Sequence, residues 1–231
     1  MNDIVDIVVG FDPREAVAYH TFTQSVIAKS SLPTRLLPLN IGSLSNYQEL
    51  HKDGSNDFIY SRFLVPYLMG FKGWAIYADG DMVCLEDIKK LWDLRDERYA
   101  LQVVKHNYKT KMRNKYWGNK NEDYPRKNWS SLILWNCNHS SHKILTPEFV
   151  EKQSGAFLHR FFWIKDEEIG ELEKEWNWLA MEYEEKKDIN LIHYTIGTPC
   201  FKEYENTSLS SYWKKSFFDM LEGYSKKDKL G

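Results

Sequence analysis

Cysteine is scarce in this sequence. Its three residues, Cys84, Cys137 and Cys200, stand far apart and show no C-x-x-C spacing. That pattern excludes a disulfide framework and a zinc knuckle, and it fits a reducing compartment. Long apolar runs are missing too: none approaches the roughly eighteen residues that a membrane-spanning helix needs. The opening MNDIVDIVVGFD carries acids inside its first apolar run, unlike a secretory signal. The expected location is therefore cytoplasmic, with peripheral contact at a membrane surface left open. There is no excess of positive charge either. Lys and Arg number 31 against 33 Asp and Glu, a net charge of −2, so no global field favours nucleic acid. The first strand–glycine–helix unit lacks G-x-G-x-x-G, which removes the dinucleotide fingerprint. No repeat, low-complexity tract or linker divides the chain. The expectation is one domain over residues 1–231, closed by a C-terminal helical extension over about 205–231.

What the chain has in quantity is aromatic side chains, 15% with nine Trp. Core packing accounts for most of them, and such faces also line sugar and base sites. Ile4 to Val9 reads as a buried strand ending at Gly10. Pro13 opens a helix whose apolar residues Ala16, Tyr19, Phe22 and Val26 recur at helical spacing. TRLLPL is a second strand and WAIYA a third. Between them FIYSRFLVPYLMGF reads as helical, with Pro66 at a kink or boundary. IKKLWDL is a short helix; YALQVVKH, SSLILWN and NLIHY are strands; a terminal helical segment runs from Leu209 through YWKKSFFDML to YSKKDKLG. The segment from Asn107 to Trp129 is a long polar loop, a kind that is usually functional. Strands alternating with helices give an α/β architecture.

The sharpest signal is AIYADGDMV. Asp79 and Asp81 sit at the C-terminal end of the WAIYA strand, where open α/β sheets bind ligands. Residues i and i+2 face one side, and Gly80 between them lets the backbone bend. The pair suits Mg2+ or Mn2+ held together with phosphate oxygens. A capped turn is the plain alternative, since Asp and Gly both favour turns. A second chemistry also fits: Asp79 as nucleophile and Asp81 as general acid of a haloacid-dehalogenase-like phosphohydrolase. That motif normally ends a first strand, here two strands precede it, and no late acidic pair follows. His193 ends the last strand and completes a carboxylate–carboxylate–imidazole set. Arg62, in SRFLVPYL, is placed to reach phosphates.

The ordered segments VVGFDPREAVAYH, SRFLVPYL, IYADGDMV, VVKHNY, KNWSSLILWNC, LHRFFWIKDEEIGELEKEWNWL and HYTIGTPCF resemble a group of small bacterial and viral glycosyltransferases. These have the GT-A fold and are related to glycosyltransferase family 8, the glycogenin and lipopolysaccharide galactosyltransferase group. The likeness runs from about Ile4 to Phe201. It implies a Rossmann-like domain with a central, mostly parallel sheet flanked by helices. It implies that Asp79, Asp81 and His193 hold the metal, and that Gly10, Phe11, Asp12 and Arg14 meet base and ribose. Ala78 and Gly80 join Asp79 at the donor. Gly197 and Lys202 match the approach to the diphosphate.

Asp166 and Glu167 resemble the family's D-Q pair beside the donor sugar, with Glu in place of Gln, and are the expected catalytic pair. Position at strand ends adds Lys105, His106 and Asn107 toward the sugar hydroxyls, with Trp129, Ser130 and Ser131 in the same cleft, and makes Tyr108 to Asn128 an acceptor-side lid. The implied activity is hexosyl transfer from a nucleotide-sugar donor, a UDP-sugar with Mn2+ or Mg2+. The acceptor is a glycan or lipid-linked saccharide, the configuration is retained, and the setting is polysaccharide biosynthesis. The alternatives carried forward are the phosphohydrolase and a non-catalytic nucleotide-sugar-binding module.

Overall fold

The computed structural model describes residues 3–227, with side chains through Glu222. The last four residues, which close the expected C-terminal extension, lie outside the described residues. In chain order the elements are β1 (Val5–Gly10), α1 (Ala16–Lys29), β2 (Thr34–Leu39), α2 (Val65–Leu68), β3 (Trp74–Ala78), β4 (Met82–Cys84) and α3 (Ile88–Trp92). They continue with β5 (Leu101–Val103), β6 (Leu132–Asn136), α4 (Pro147–Lys152), α5 (Gly155–His159), β7 (Ile169–Glu171), β8 (Trp178–Leu179), β9 (Leu191–His193) and α6 (Ser210–Lys227).

Six strands form the main sheet in the order β2-β1-β3-β6-β5-β7. β6 is antiparallel to both of its neighbours, and the other pairings are parallel, so β6 alone runs against the rest. A small second sheet, β4-β9-β8, stands beyond the end of β3. β2 tolerates Pro38 because it is an edge strand, where a missing N–H breaks no ladder bond on the open side.

Strand alternation sorts the core into two layers. Val8, Ala75, Tyr77, Ile133 and Trp135 face one side, where Val65, Val150 and Leu158 of α2, α4 and α5 cover them. Ile7, Val9, Ile76, Ala78, Leu132 and Leu134 face the other, under Tyr19, Phe22 and Val26 of α1. β3 is buried along its whole length, as a strand covered on both faces must be. Each such aliphatic side chain contributes about 1.5–3 kcal/mol by leaving water.

The expected helix over FIYSRFLVPYLMGF is instead a 3-10 turn, Ser61–Leu64, followed by the single α-turn of α2. Pro66 lies in that first turn, where its missing N–H costs nothing, and Gly70 and Phe71 end it at positive φ. α6 docks on the domain itself: Trp213 is buried with Val83, Ile192 and Tyr194, and the Tyr194 hydroxyl donates to the Leu209 carbonyl at 2.8 Å. None of the three cysteines is paired. Among the described residues, no helix is long and apolar enough to cross a membrane.

Candidate active site

The carboxyl ends of β1 and β3 meet backbone to backbone. A Cβ on Gly80 would lie 2.5 Å from the Gly10 carbonyl oxygen, and one on Gly10 would lie 2.6 Å from the Phe58 ring. Only glycine allows this approach at the two positions. It lets the chain turn after Ala78 so that Asp79 and Asp81 point to one place while β4 departs into the small sheet. The turn is fixed from both sides. The Asp79 amide donates to the Ser131 carbonyl at 2.9 Å, and the Tyr194 amide donates to the Asp81 carbonyl at 2.9 Å.

β9 pairs with β4 so that His193 stands opposite Met82, beside the aspartates. One ligand atom each from Asp79, Asp81 and His193 falls within a mutual 4.8 Å, and all three residues are buried. His193 Nε2 is 3.3 Å from Asp81 Oδ1 and 4.0 Å from Asp79 Oδ2. Asp81 Oδ1 is nevertheless buried without a hydrogen-bond partner. Two carboxylates and an imidazole facing one point, one carboxylate oxygen unmet, form a donor set that fits a divalent cation.

The two aspartates differ in support. Asp79 accepts from the Tyr77 hydroxyl at 2.7 Å and lies 3.0 Å from Arg62 Nη1, which also donates to the Ser130 carbonyl at 2.9 Å. Burial raises the Asp79 carboxyl and the neighbouring Asp81 adds to this, while Arg62 works against both. Burial also works to raise Asp81, but the His193 imidazole beside it leaves that carboxyl below its ordinary value. His193 is held from behind by Asn177, whose Oδ1 lies 3.1 Å from Nδ1. Asn177 Nδ2 donates to Ser131 Oγ at 2.9 Å, and Ser131 Oγ donates to the Asn128 carbonyl at 2.7 Å.

Arg62, Asp79, Asp81, Ser131 and His193 line a cavity of about 50 Å³ together with Lys115, Tyr116, Tyr124, Asn128, Ser130 and His159. The segment between β5 and β6 closes it. Tyr116 stacks on Phe201 with centroids 5.9 Å apart, its amide donates to the Ile196 carbonyl at 2.9 Å, and Arg14 lies 4.1 Å over the Trp117 ring. Buried Glu182 latches the same segment, accepting from Thr110 Oγ1 at 2.6 Å and from the Lys111 amide at 2.8 Å.

Of the expected site residues, the structure brings Arg62, Asp79, Asp81, Ser131 and His193 to this cavity. Gly10, Ala78 and Gly80 form the strand ends beneath it. Asp12 is engaged elsewhere: it accepts from the Arg14 amide at 2.9 Å and from the Asp57 amide at 3.2 Å, capping the turn that opens α1. Phe11 packs edge-on against Tyr19. Gly197 turns under the Tyr204 ring.

Five expected residues are not brought in. Lys105 and Asn107 flank the inward position, which belongs to His106, bonded through Nδ1 to the Tyr183 hydroxyl at 2.7 Å. Lys202 is exposed at the start of a 3-10 turn. Asp166 and Glu167 form an exposed turn, with Asp166 Oδ1 2.6 Å from Arg126 Nη2. The short β7 follows at once and carries the chain away, so these acids stay at the surface.

Three groups had no signal in the sequence. Lys115 comes from mid-loop; burial lowers its ammonium while Asp81 and Asp79 draw it back up. Glu15 is buried with both oxygens unpartnered, and burial, then Asp81, Asp12 and Asp79, push it up to about 9. His159 ends α5.

A mostly parallel sheet with one reversed strand, carrying a carboxylate pair at a strand end, is the GT-A fold, and solved structures share it. The glycosyltransferase GlyE of Streptococcus pneumoniae TIGR4 superposes with TM-score 0.64 at 16% identity, over 98% of this chain and 64% of GlyE. The galactosyltransferase LgtC, solved with donor and acceptor sugar analogues, gives 0.60 at 15%, over 93% of this chain and 96% of LgtC. The family model described as Glycosyl transferase family 8 matches residues 13–202, and the chain belongs to that family. Protein CDI of Arabidopsis thaliana is 39% identical over 232 residues, 96% of this chain and 88% of the relative. The chain is a glycosyltransferase, and its family implies a nucleotide-sugar donor and a glycan acceptor. That membership decides against the phosphohydrolase and the non-catalytic module.

Proposed function

We propose that the chain transfers a hexose from a UDP-sugar to a glycan or lipid-linked saccharide in polysaccharide biosynthesis, with retention at the anomeric carbon and with Mn2+ or Mg2+ held by Asp79, Asp81 and His193. The observation that carries this is the buried triad with the unmet Asp81 Oδ1. Such a cation, when bound, offsets the negative charge that develops on the departing nucleotide diphosphate.

The chain's own groups share that task. Arg62 and Lys115 place fixed positive charge at the same cavity. Because it is enclosed, their fields are less screened than in water. Asn128, Ser130 and Ser131 supply uncharged donors and acceptors suited to sugar hydroxyls. Gly10, Phe11, Asp12 and Arg14, at the end of β1, are the proposed seat of base and ribose. Retention and the UDP carrier are proposed by analogy with the family. The unpaired cysteines suit a cytoplasmic setting.

The test is a thermal-shift titration with UDP, GDP and their common sugars, with and without Mn2+. A ligand at 100 times its Kd adds about 2.7 kcal/mol of stability and raises Tm. A rise for a uridine nucleotide that requires Mn2+ is expected. No shift with any of these compounds would remove the proposal.

A further inference from the structure

His159 lines this cavity and is a titratable group there that the metal triad does not use. It ends α5, with its ring edge-on to Phe63 at 5.2 Å between centroids. Its Nδ1 shares a hydrogen bond of 2.7 Å with Ser130 Oγ. Its Nε2 is out of contact with solvent and has no hydrogen-bond partner. The Ser130 carbonyl accepts from Arg62 Nη1, and that same nitrogen lies 3.0 Å from Asp79. A continuous set of contacts therefore fixes the imidazole relative to the triad, while one of its two nitrogens is left without work.

A buried nitrogen in this state calls for a partner. Burial lowers the ring to about 3, so it is neutral at physiological pH and makes a poor partner for a phosphate. With Nδ1 committed to Ser130, Nε2 either donates or accepts, according to the tautomer. A hydroxyl can answer both, because it is donor and acceptor at once. Tyr124, Asn128 and Ser130 line the cavity beside it with more hydroxyl and amide groups. The cations Arg62 and Lys115 act on the ring in the same direction as burial, and keep it neutral. His159 lines the same cavity as the proposed metal ligands Asp79, Asp81 and His193, which points to a hydroxyl on the sugar that the diphosphate carries.

We infer that His159 Nε2 binds a hydroxyl of the donor sugar and is a specificity-determining residue of this transferase, an inference that rests on the donor assignment above. The test is calorimetric titration, with Mn2+ present, of wild type, His159→Ala and His159→Gln. The probes are UDP and a panel of UDP-glucose, UDP-galactose, UDP-xylose and the two UDP-N-acetylhexosamines. Expected is unchanged affinity for UDP in both variants. For the panel member that wild type binds best, His159→Ala loses about tenfold, and His159→Gln, which keeps a donor and an acceptor, recovers part of this. Equal losses for UDP and the sugar nucleotide, or no loss for either, would overturn the role of His159 alone. Failure of wild type to bind any of these compounds would overturn the transferase proposal and this inference together.

Discussion

Asn177 Oδ1 lies 3.1 Å from His193 Nδ1, and this contact turns His193 Nε2 toward Asp81. An amide oxygen can only accept, so Nδ1 carries a proton, which leaves Nε2 as the nitrogen that would hold a cation. Asn177 is in turn oriented by Ser131. Groups that fix a ligating imidazole in this way typically account for 10–100-fold in metal affinity. Asn177→Ala should weaken Mn2+ binding by about that factor, read by calorimetry, with the far-ultraviolet circular dichroism unchanged. Wild-type affinity would show that the imidazole needs no such support.

Asp79 and Asp81 should separate in a stability measurement although both serve the metal. Either Ala variant is expected to abolish Mn2+-dependent donor binding and turnover. Asp79, however, is also the partner of buried Arg62 and of Tyr77. Removing it leaves a buried guanidinium uncompensated, which costs about 3–5 kcal/mol. Asp81 has no guanidinium against it; its neighbour is the His193 imidazole, with Nε2 3.3 Å from Oδ1. In chelator, urea denaturation should find Asp79→Ala far less stable than wild type and Asp81→Ala closer to it, since Asp81 loses only its contact with the His193 imidazole. The reverse order would mean that Arg62 is held by something other than Asp79.

Glu15 sets a pH dependence. Its folded value is raised from 4.5 to about 9, first by burial and then by Asp81, Asp12 and Asp79. The unfolded chain releases this proton near its ordinary value, and the folded chain keeps it. Between those values the folded state binds more protons, so its contribution to stability is full below about pH 4.5 and declines as pH rises toward about 9. Glu15→Gln should remove that decline. Without metal, the variant should match wild type near about pH 5 and exceed it near about pH 8. A constant difference at both would show that Glu15 ionises normally.

Asp166 tests the surface placement. Its pair with Arg126 is exposed, and pairs of that kind contribute about 0–1 kcal/mol. Asp166→Asn should leave donor affinity and turnover within about twofold of wild type. A tenfold or larger fall in turnover, with donor binding kept, would restore Asp166 to a role at the reacting sugar.

The parts of this site legible in the sequence are those carried by one strand. WAIYA announces its burial by composition, and the two acids after it mark its end. His193 is legible for the same reason. Asn177, Glu15, Lys115 and His159 lie in turns and loops or at a helix end, and meet the cavity or its aspartates and histidine only through contacts distant in sequence. β4, β7 and β8 have two or three residues each, too few to show a period of two. Where polar residues cluster, as in Lys105, His106 and Asn107, the sequence shows that something polar ends the strand. It does not show which residue turns inward, because that depends on the Val104–His106 turn and on Tyr183.

The pairing of Met82 with His193 has a further consequence. A cation held by Asp79, Asp81 and His193 would be a rivet between β4 and β9, two short strands far apart in sequence. These strands have little ladder of their own to hold them. Local opening of the small sheet, seen as amide exchange at Val83 and Ile192, should therefore slow when Mn2+ is added, while the long β1–β2 ladder at the far edge exchanges as before. In this molecule the ion would act as a structural fastener for the sheet on which α6 rests, and loss of the metal would loosen the carboxyl-terminal part of the domain before the rest.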